Sequence, residues 1–278
     1  MPESLNFRAA MLSMTIFAAA LLVWGLATLP PEKAAAGNGE YAQLMGGAAK
    51  NSSGLPTLRQ IGETIWTQLK NPFYDKGPND KGIGIQLAYS LGRVGLGFGF
   101  AVLVAIPLGF VIGMSPLLHR ALNPFIQVLK PVSPLAWMPL ALYTIKDSAI
   151  SSVFVIFICS LWPMLINTAH GVASVKRDWL NVARTLEVRP LRLAFQVILP
   201  AAAPTILTGM RISMGIAWLV IVAAEMLVGG TGIGYFVWNE WNNLSLTNVI
   251  FAILMIGMVG MGLDLLFGRL QKLVTYVE

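Results

Sequence analysis

Apolar residues gather into six runs along the chain, at about 10–29, 94–114, 131–145 with a run-in from Leu122, 149–168, 204–228 and 247–268. A helix rises ~1.5 Å per residue, so ~20 apolar residues cross the ~30 Å hydrocarbon layer of a bilayer. The pattern therefore predicts an all-α, polytopic membrane protein with six transmembrane helices. The first run follows Arg8 and so resembles a signal peptide, but its length reads as a first spanning helix. The expected organisation is an N-terminal tail and first helix over 1–30, an extracytoplasmic segment over 31–84, and a core of five spanning helices over 85–278.

Within the polar segment 31–84, Thr57-Leu-Arg-Gln60 reads as a capping box, and Leu58, Ile61, Ile65 and Leu69 fall on one face of the helix it would open. That amphipathic helix is expected to rest on the membrane surface with Trp66 as an anchor. Asn71 to Gly84, with Pro72, Pro78 and three glycines, reads as an irregular loop.

Composition supports the bilayer reading: 56% of the 278 residues are apolar and 12% charged, with mean hydropathy +0.69. A soluble domain carries about twice that share of charge. The net charge of +6 does not point to nucleic acid, because the Lys and Arg residues lie mostly outside the apolar runs. They gather instead on one side: Arg8, Arg120 and the stretch Lys176 to Arg192 would share a face with Arg269 and Lys272, whereas the short loops opposite hold only Lys146. Both termini and the loop 170–203 are thus expected in the cytosol. The single cysteine, Cys159, permits no disulfide within the chain and reads as a small core residue. His119 and His170 have no ligand company, so no metal is expected.

The loop 170–203 contains NVARTLEVRPLRLAFQVILP from Asn181 to Pro200. Its apolar positions Val182, Leu186, Leu193 and Val197, with Arg184, Arg189 and Arg192 between them, predict two short amphipathic helices hinged near Pro190. An apolar stripe of this kind outside the membrane requires a partner protein to cover it. No nucleotide-binding Gly-x-x-x-x-Gly-Lys-Ser/Thr motif is present, so ATP hydrolysis would have to come from elsewhere. Gly229-Gly-Thr-Gly-Ile-Gly234 lacks the lysine and reads as a flexible outer turn.

The loop resembles the signature of the binding-protein-dependent permeases of ATP-binding cassette importers: Glu-Ala-Ala, three residues, Gly, nine residues, then Ile-x-Leu-Pro. Ala183, Leu199 and Pro200 fit that register, while Asn181, Val182, Glu187 and Val197 depart from it. Because the Gly allows a positive φ, Glu187 implies a different or a strained local path. The resemblance implies a coupling helix that docks on a cytosolic ATPase through Asn181, Ala183, Arg184, Thr185, Leu186, Glu187, Pro190, Leu193, Leu199 and Pro200. Further blocks, including Ser90-Leu-Gly-Arg93, Thr208-Gly-Met-Arg211, Ala224-Glu225-Met226 and Gly232-Ile-Gly234, resemble the subgroup importing nitrate, bicarbonate, cyanate, taurine and alkanesulfonates. Pro131-Val-Ser-Pro-Leu-Ala-Trp-Met-Pro139 and Asn181 to Glu187 resemble the nitrate permeases of photosynthetic bacteria.

The resemblance implies a transport subunit in the bacterial inner membrane, not an enzyme in itself, with no cofactor of its own. ATP and Mg would be bound by partner ATP-binding cassette subunits. A second permease copy and an extracytoplasmic binding protein would complete the complex, in contact with membrane lipid and without nucleic acid. Charges inside a membrane are functional candidates, so Arg211, Lys130 and Glu225, with Thr208 from the same block as Arg211, are the candidate pathway residues. Arg211 reads equally as a cation lowering the barrier to an anion and as a partner for Asp264. Glu225 would repel an anion and is expected to pair a cation such as Arg93 or to shape a gate. Lys130 precedes Pro131, Pro134 and Pro139, where a broken helix would line a cavity, or it serves as an interfacial anchor. The rival classes are a secondary transporter, which would require inverted repeats, and a membrane scaffold with no transport role.

Overall fold

A computed structural model describes residues 2–28, 55–77 and 80–274, and among these it is helical apart from turns and one isolated antiparallel bridge, Asp75 to Lys81. Residues 29–54, which hold less than half of the expected extracytoplasmic segment, lie outside the described residues, as do Met1, Pro78, Asn79 and the last four positions. Among the described residues, five helices are long and apolar enough to span a membrane, and a sixth span exists if one sharply bent helix pair is counted. The backbone falls into two compact units, residues 1–72 with 240–253, and residues 73–239 with 254–278.

In the first unit, helix α1 (Pro2–Ala27) exposes apolar side chains all round, as a lone helix in lipid must. Its Trp24 indole donates to the Pro56 carbonyl at 3.1 Å. Helix α2 (Leu58–Lys70) opens with the expected capping box: Thr57 accepts from Gln60 N–H, and the Gln60 side chain accepts from Thr57 N–H. Ile61 is buried while Trp66 is 75% exposed, which fits the amphipathic reading.

The second unit is built on three helices: α3 (Ile83–Met114), α6 (Ser148–Ala173) and α9 (Leu199–Val228). They approach closely because small residues face each other. Gly97, Ala101, Ala105, Gly109 and Gly113 recur every fourth residue along α3 and form one row. A Cβ on Gly109 would lie 2.7 Å from Thr168 Cβ, and one on Gly113 would lie 2.5 Å from the Ala169 carbonyl. In a bilayer, where no hydrophobic effect drives helices together, this backbone proximity supplies the packing energy.

Three elements depart from the hydropathy pattern. Helix α3 begins at Ile83, eleven residues before the expected span at 94, because its polar first turns are satisfied by distant partners described below. The expected third span is two helices, α4 (Pro116–Leu129) and α5 (Pro134–Ile145), bent by 91°. Pro134 pushes Ser133 out of the helical region (φ −60°, ψ 137°), and Ser133 then caps α5 by accepting from Leu135 N–H. The fifth span was expected from 204, but helical structure runs unbroken from Pro190 to Val228. Pro200 cannot donate a backbone hydrogen bond, and the chain absorbs this with a π-helical turn over Ala194–Ile198, where Leu199 N–H reaches back five residues to Ala194. A further helix missed by the sequence reading, α10 (Ile233–Asn242), precedes α11 (Leu246–Val274).

Candidate functional site

Four places carry the chemistry. The first is the loop after α6, where α7 (Arg177–Thr185) is followed by a turn and α8 (Pro190–Leu193). Helix α7 shows an apolar stripe to the outside: Trp179, Val182 and Leu186 are exposed, Leu186 at 71%. Ala183 points inward at 5% exposure. Val188 N–H donates to Ala183 C=O, five residues back, at 3.1 Å, which closes the helix in a Schellman turn. That turn needs a left-handed residue, and Glu187 adopts it with φ +52°. The strained alternative foreseen for Glu187 is the one present, and the glycine-type geometry survives without the glycine. Asn181, Thr185, Pro190 and Pro200 are exposed, and the Arg184 side chain lies outside the described residues.

Leu193 departs from the expected docking face. It packs, with Leu180 and Leu199, against the buried cluster of Val172, Val175, Ile198, Ala202 and Ile206. The second amphipathic helix is therefore rooted in the core through Leu193 and Leu199, and the exposed apolar side chains there are Leu191 and Phe195. Spacing alone had placed Leu193 in line with Leu186, but the turn at Glu187 rotates the following helix.

The second place is a polar network between the start of α3 and the turn joining α9 to α10. Glu225, 1% exposed, receives Arg93 Nη1 at 2.8 Å on Oε1 and Gly234 N–H at 3.0 Å on Oε2, with Ser90 Oγ within 2.9 Å of both oxygens. Ser90 Oγ also accepts from Ile233 N–H, Gln86 Oε1 accepts from Gly232 N–H at 2.6 Å, and Arg93 Nη1 donates to Thr231 C=O at 2.7 Å. Glu225, Ser90, Gln86 and Arg93 thus each find a partner within this network, the condition for retaining a charge in this environment. A Cβ on Gly232 would overlap the Glu225 carboxylate, and one on Gly234 would overlap the Val222 carbonyl. The turn read as flexible is held by a closed network, and Arg93 is the cation expected as the partner of Glu225. Sequence reasoning missed Gln86 and Ser90, although their spacing with Arg93 places all three on one face of α3.

Third, Arg211 and Asp264 form a two-pronged ion pair, Nε to Oδ1 at 2.6 Å and Nη2 to Oδ2 at 2.5 Å, with both side chains substantially exposed. One turn away on α9, Thr208 Oγ1 accepts from Gln271 at 2.8 Å. Trp218 donates its indole N–H to Ile256 C=O at 3.0 Å. Long side chains therefore bridge α9 to the second half of α11.

Fourth, the break between α4 and α5 opens on a cavity of about 170 Å³ whose walls include Lys130, Pro134, Trp137, Cys159, Trp162 and Ile216. Cys159 is partly exposed there, where the sequence reading had it in the core; Pro163 and the wide bend leave that face of α6 uncovered. The structure brings Arg211 to Asp264 and Glu225 to Arg93, while Lys130 lies apart at the break.

Residues 105–275 match the family model described as binding-protein-dependent transport system inner membrane component. The chain is 44% identical over 226 residues to the nitrate import permease protein NrtB of Synechocystis sp., covering 81% of this chain and 82% of that one. To the NrtB protein of Leptolyngbya laminosa it is 46% identical, with 78% and 77% covered. To the bicarbonate transport system permease protein CmpB of Synechocystis sp. it is 44% identical, with 76% and 78% covered. Among solved structures, the inward-facing MetNI methionine ABC transporter superposes with a TM-score of 0.63 at 12% identity, over 70% of this chain and 96% of that one. The helical core is thus that of a known transporter fold, and the chain belongs to the binding-protein-dependent transport system inner membrane components, as a transport subunit of the ABC importer class.

Proposed function

We propose that this chain is the permease of an ATP-driven nitrate and nitrite importer. The observation that carries the reading is 41–46% identity to three nitrate import permeases over most of the chain. In this account both termini and the α7 loop face the cytosol, following the basic residues. Two copies pair about a two-fold axis with the pathway between them. Cytosolic ATPase subunits bind ATP and Mg and cover the stripe of Trp179, Val182 and Leu186. A binding protein delivers the anion on the opposite side, and closure of the ATPases switches the permease between two packed states. Arg211, Thr208 and Lys130 are the pathway residues of this reading. Glu225, with both oxygens occupied, serves it from the closed network as a brace for the α9–α10 turn.

The bicarbonate permeases supply the second reading, because identity to one of them is 44%. The test is ATP hydrolysis by the permease with its neighbouring ATPases and binding protein in lipid vesicles, across nitrate, nitrite, bicarbonate, cyanate and taurine. Stimulation by nitrate or nitrite supports the first reading. Stimulation by bicarbonate alone moves the substrate, and hydrolysis indifferent to every anion removes the importer assignment.

A further inference from the structure

Lys130 stands at the end of α4, where the bent pair breaks, and its ammonium has no ion-pair or hydrogen-bond partner among the described residues. The cavity it lines meets α6 at Cys159, which is 11 residues past Ser148 and 14 before Ala173, near the middle of that span. A lysine beside a mid-span cavity is costly unless it faces water or a counter-charge. Trp137 and Trp162 line the same cavity, and neither indole N–H has a hydrogen-bond partner among the described residues. The side-chain polar groups of the lining residues are thus an ammonium, two indole N–H groups and a thiol, with no carboxylate or amide among them. One ammonium and two neutral N–H donors, with no acceptor side chain among the lining residues, suit an anion rather than a cation. A volume of 170 Å³ has room for about five waters, enough for a small oxyanion with part of its hydration shell.

We propose that this cavity is a transit site for a small monovalent oxyanion, with the Lys130 ammonium supplying the charge and the Trp137 and Trp162 indoles supplying directional hydrogen bonds. The site deepens the anion-import reading and rests on it. The exposed lysine holds the anion by a screened attraction, so the ion both enters and leaves. The discontinuity of α4 and α5 places the cation at mid-span without a continuous helix to bury it.

Cys159, the sole cysteine of the chain, reports on the site directly. The assembled complex in lipid nanodiscs is treated with an anionic and a cationic methanethiosulfonate, each rate normalised to that with a free thiol, and modification of the permease is read by intact mass. The anionic reagent is expected to react about tenfold faster. Saturating nitrate is expected to slow it severalfold. Lys130→Gln is expected to abolish the preference, Lys130→Arg to keep it, and Trp162→Phe to weaken the nitrate protection while leaving the charge preference. Equal or faster reaction with the cationic reagent overturns the proposal, as does absence of protection by nitrate in a complex that imports nitrate. A wild-type complex that imports no nitrate yet shows protection of Cys159 by bicarbonate would remove the substrate assignment and keep the site. The two wild-type measurements decide the matter even if a variant fails to assemble.

Discussion

Replacing Glu225 by Gln removes the one negative charge against which Arg93 is paired in a network where the carboxylate is 1% exposed and the Arg93 side chain 16%. The carboxylate accepts from three donors, Arg93, Ser90 and Gly234 N–H. An amide presents a donor on one side, so one of the three is left facing another donor while the guanidinium stays uncompensated. Breaking a buried pair by deleting one partner costs about 3 kcal/mol or more. At about 2–4 °C per kcal/mol for a chain of this size, the apparent unfolding midpoint of the purified complex is expected to fall by roughly 6–12 °C. Arg93→Gln is expected to cost less, because the remaining carboxylate keeps Ser90 and Gly234. The double variant should then lose less than the sum of the singles by about 1 kcal/mol or more. A Glu225→Gln midpoint within about 2 °C of wild type, or strict additivity in the cycle, would refute the closed network as the brace of the α9–α10 turn.

Three further substitutions probe other elements. Glu187→Gly removes a left-handed non-glycine residue from the Schellman turn; relief of about 1 kcal/mol is expected to slow hydrogen exchange at the Val188 amide, and faster exchange would contradict the strain. Leu186→Asp, at an exposed site, is expected to leave folding and membrane insertion intact while uncoupling ATP hydrolysis from transport, whereas Leu193→Asp puts a charge against the buried cluster and is expected to lower the yield of folded protein; equal effects in both assays would sink the distinction. Gly109→Leu forces a side chain into the α3–α6 contact, a cost of at least 1–3 kcal/mol by overpacking, and an unchanged unfolding midpoint would show that the small-residue row is not the packing seam.

Features set by neighbours in sequence were legible from the chain alone. The capping box at Thr57 and Gln60 and the break near Pro131 depend on a few adjacent residues, whereas the left-handed turn at Glu187 was foreseen, as one of two alternatives, only through the glycine of the permease signature. The glycine positions of the outer turn were visible too, but their meaning was not, because Gly232 is required by a carboxylate seven residues earlier and by Gln86 from another helix. Helix α3 looked shorter than it is for the same reason: Gln86, Ser90 and Arg93 depress local hydropathy, and their partners are more than 130 positions away. Leu193 was misplaced because a periodic stripe carries no record of a rotation between two helices. The coupling residues Asn181 to Pro200 came from resemblance, and exposure at Leu186 against burial at Ala183 sorts them only in part.

The central claim is that this chain carries nitrate through a membrane when partner subunits hydrolyse ATP. Its most direct test is nitrate accumulation in vesicles containing the purified permease and its neighbouring ATPases, loaded with ATP on the loop side and given binding protein on the other. The account predicts uphill accumulation that requires ATP and binding protein and disappears with Leu186→Asp. Accumulation that persists without the ATPases, or a complex that moves none of nitrate, nitrite and bicarbonate under these conditions, would contradict it.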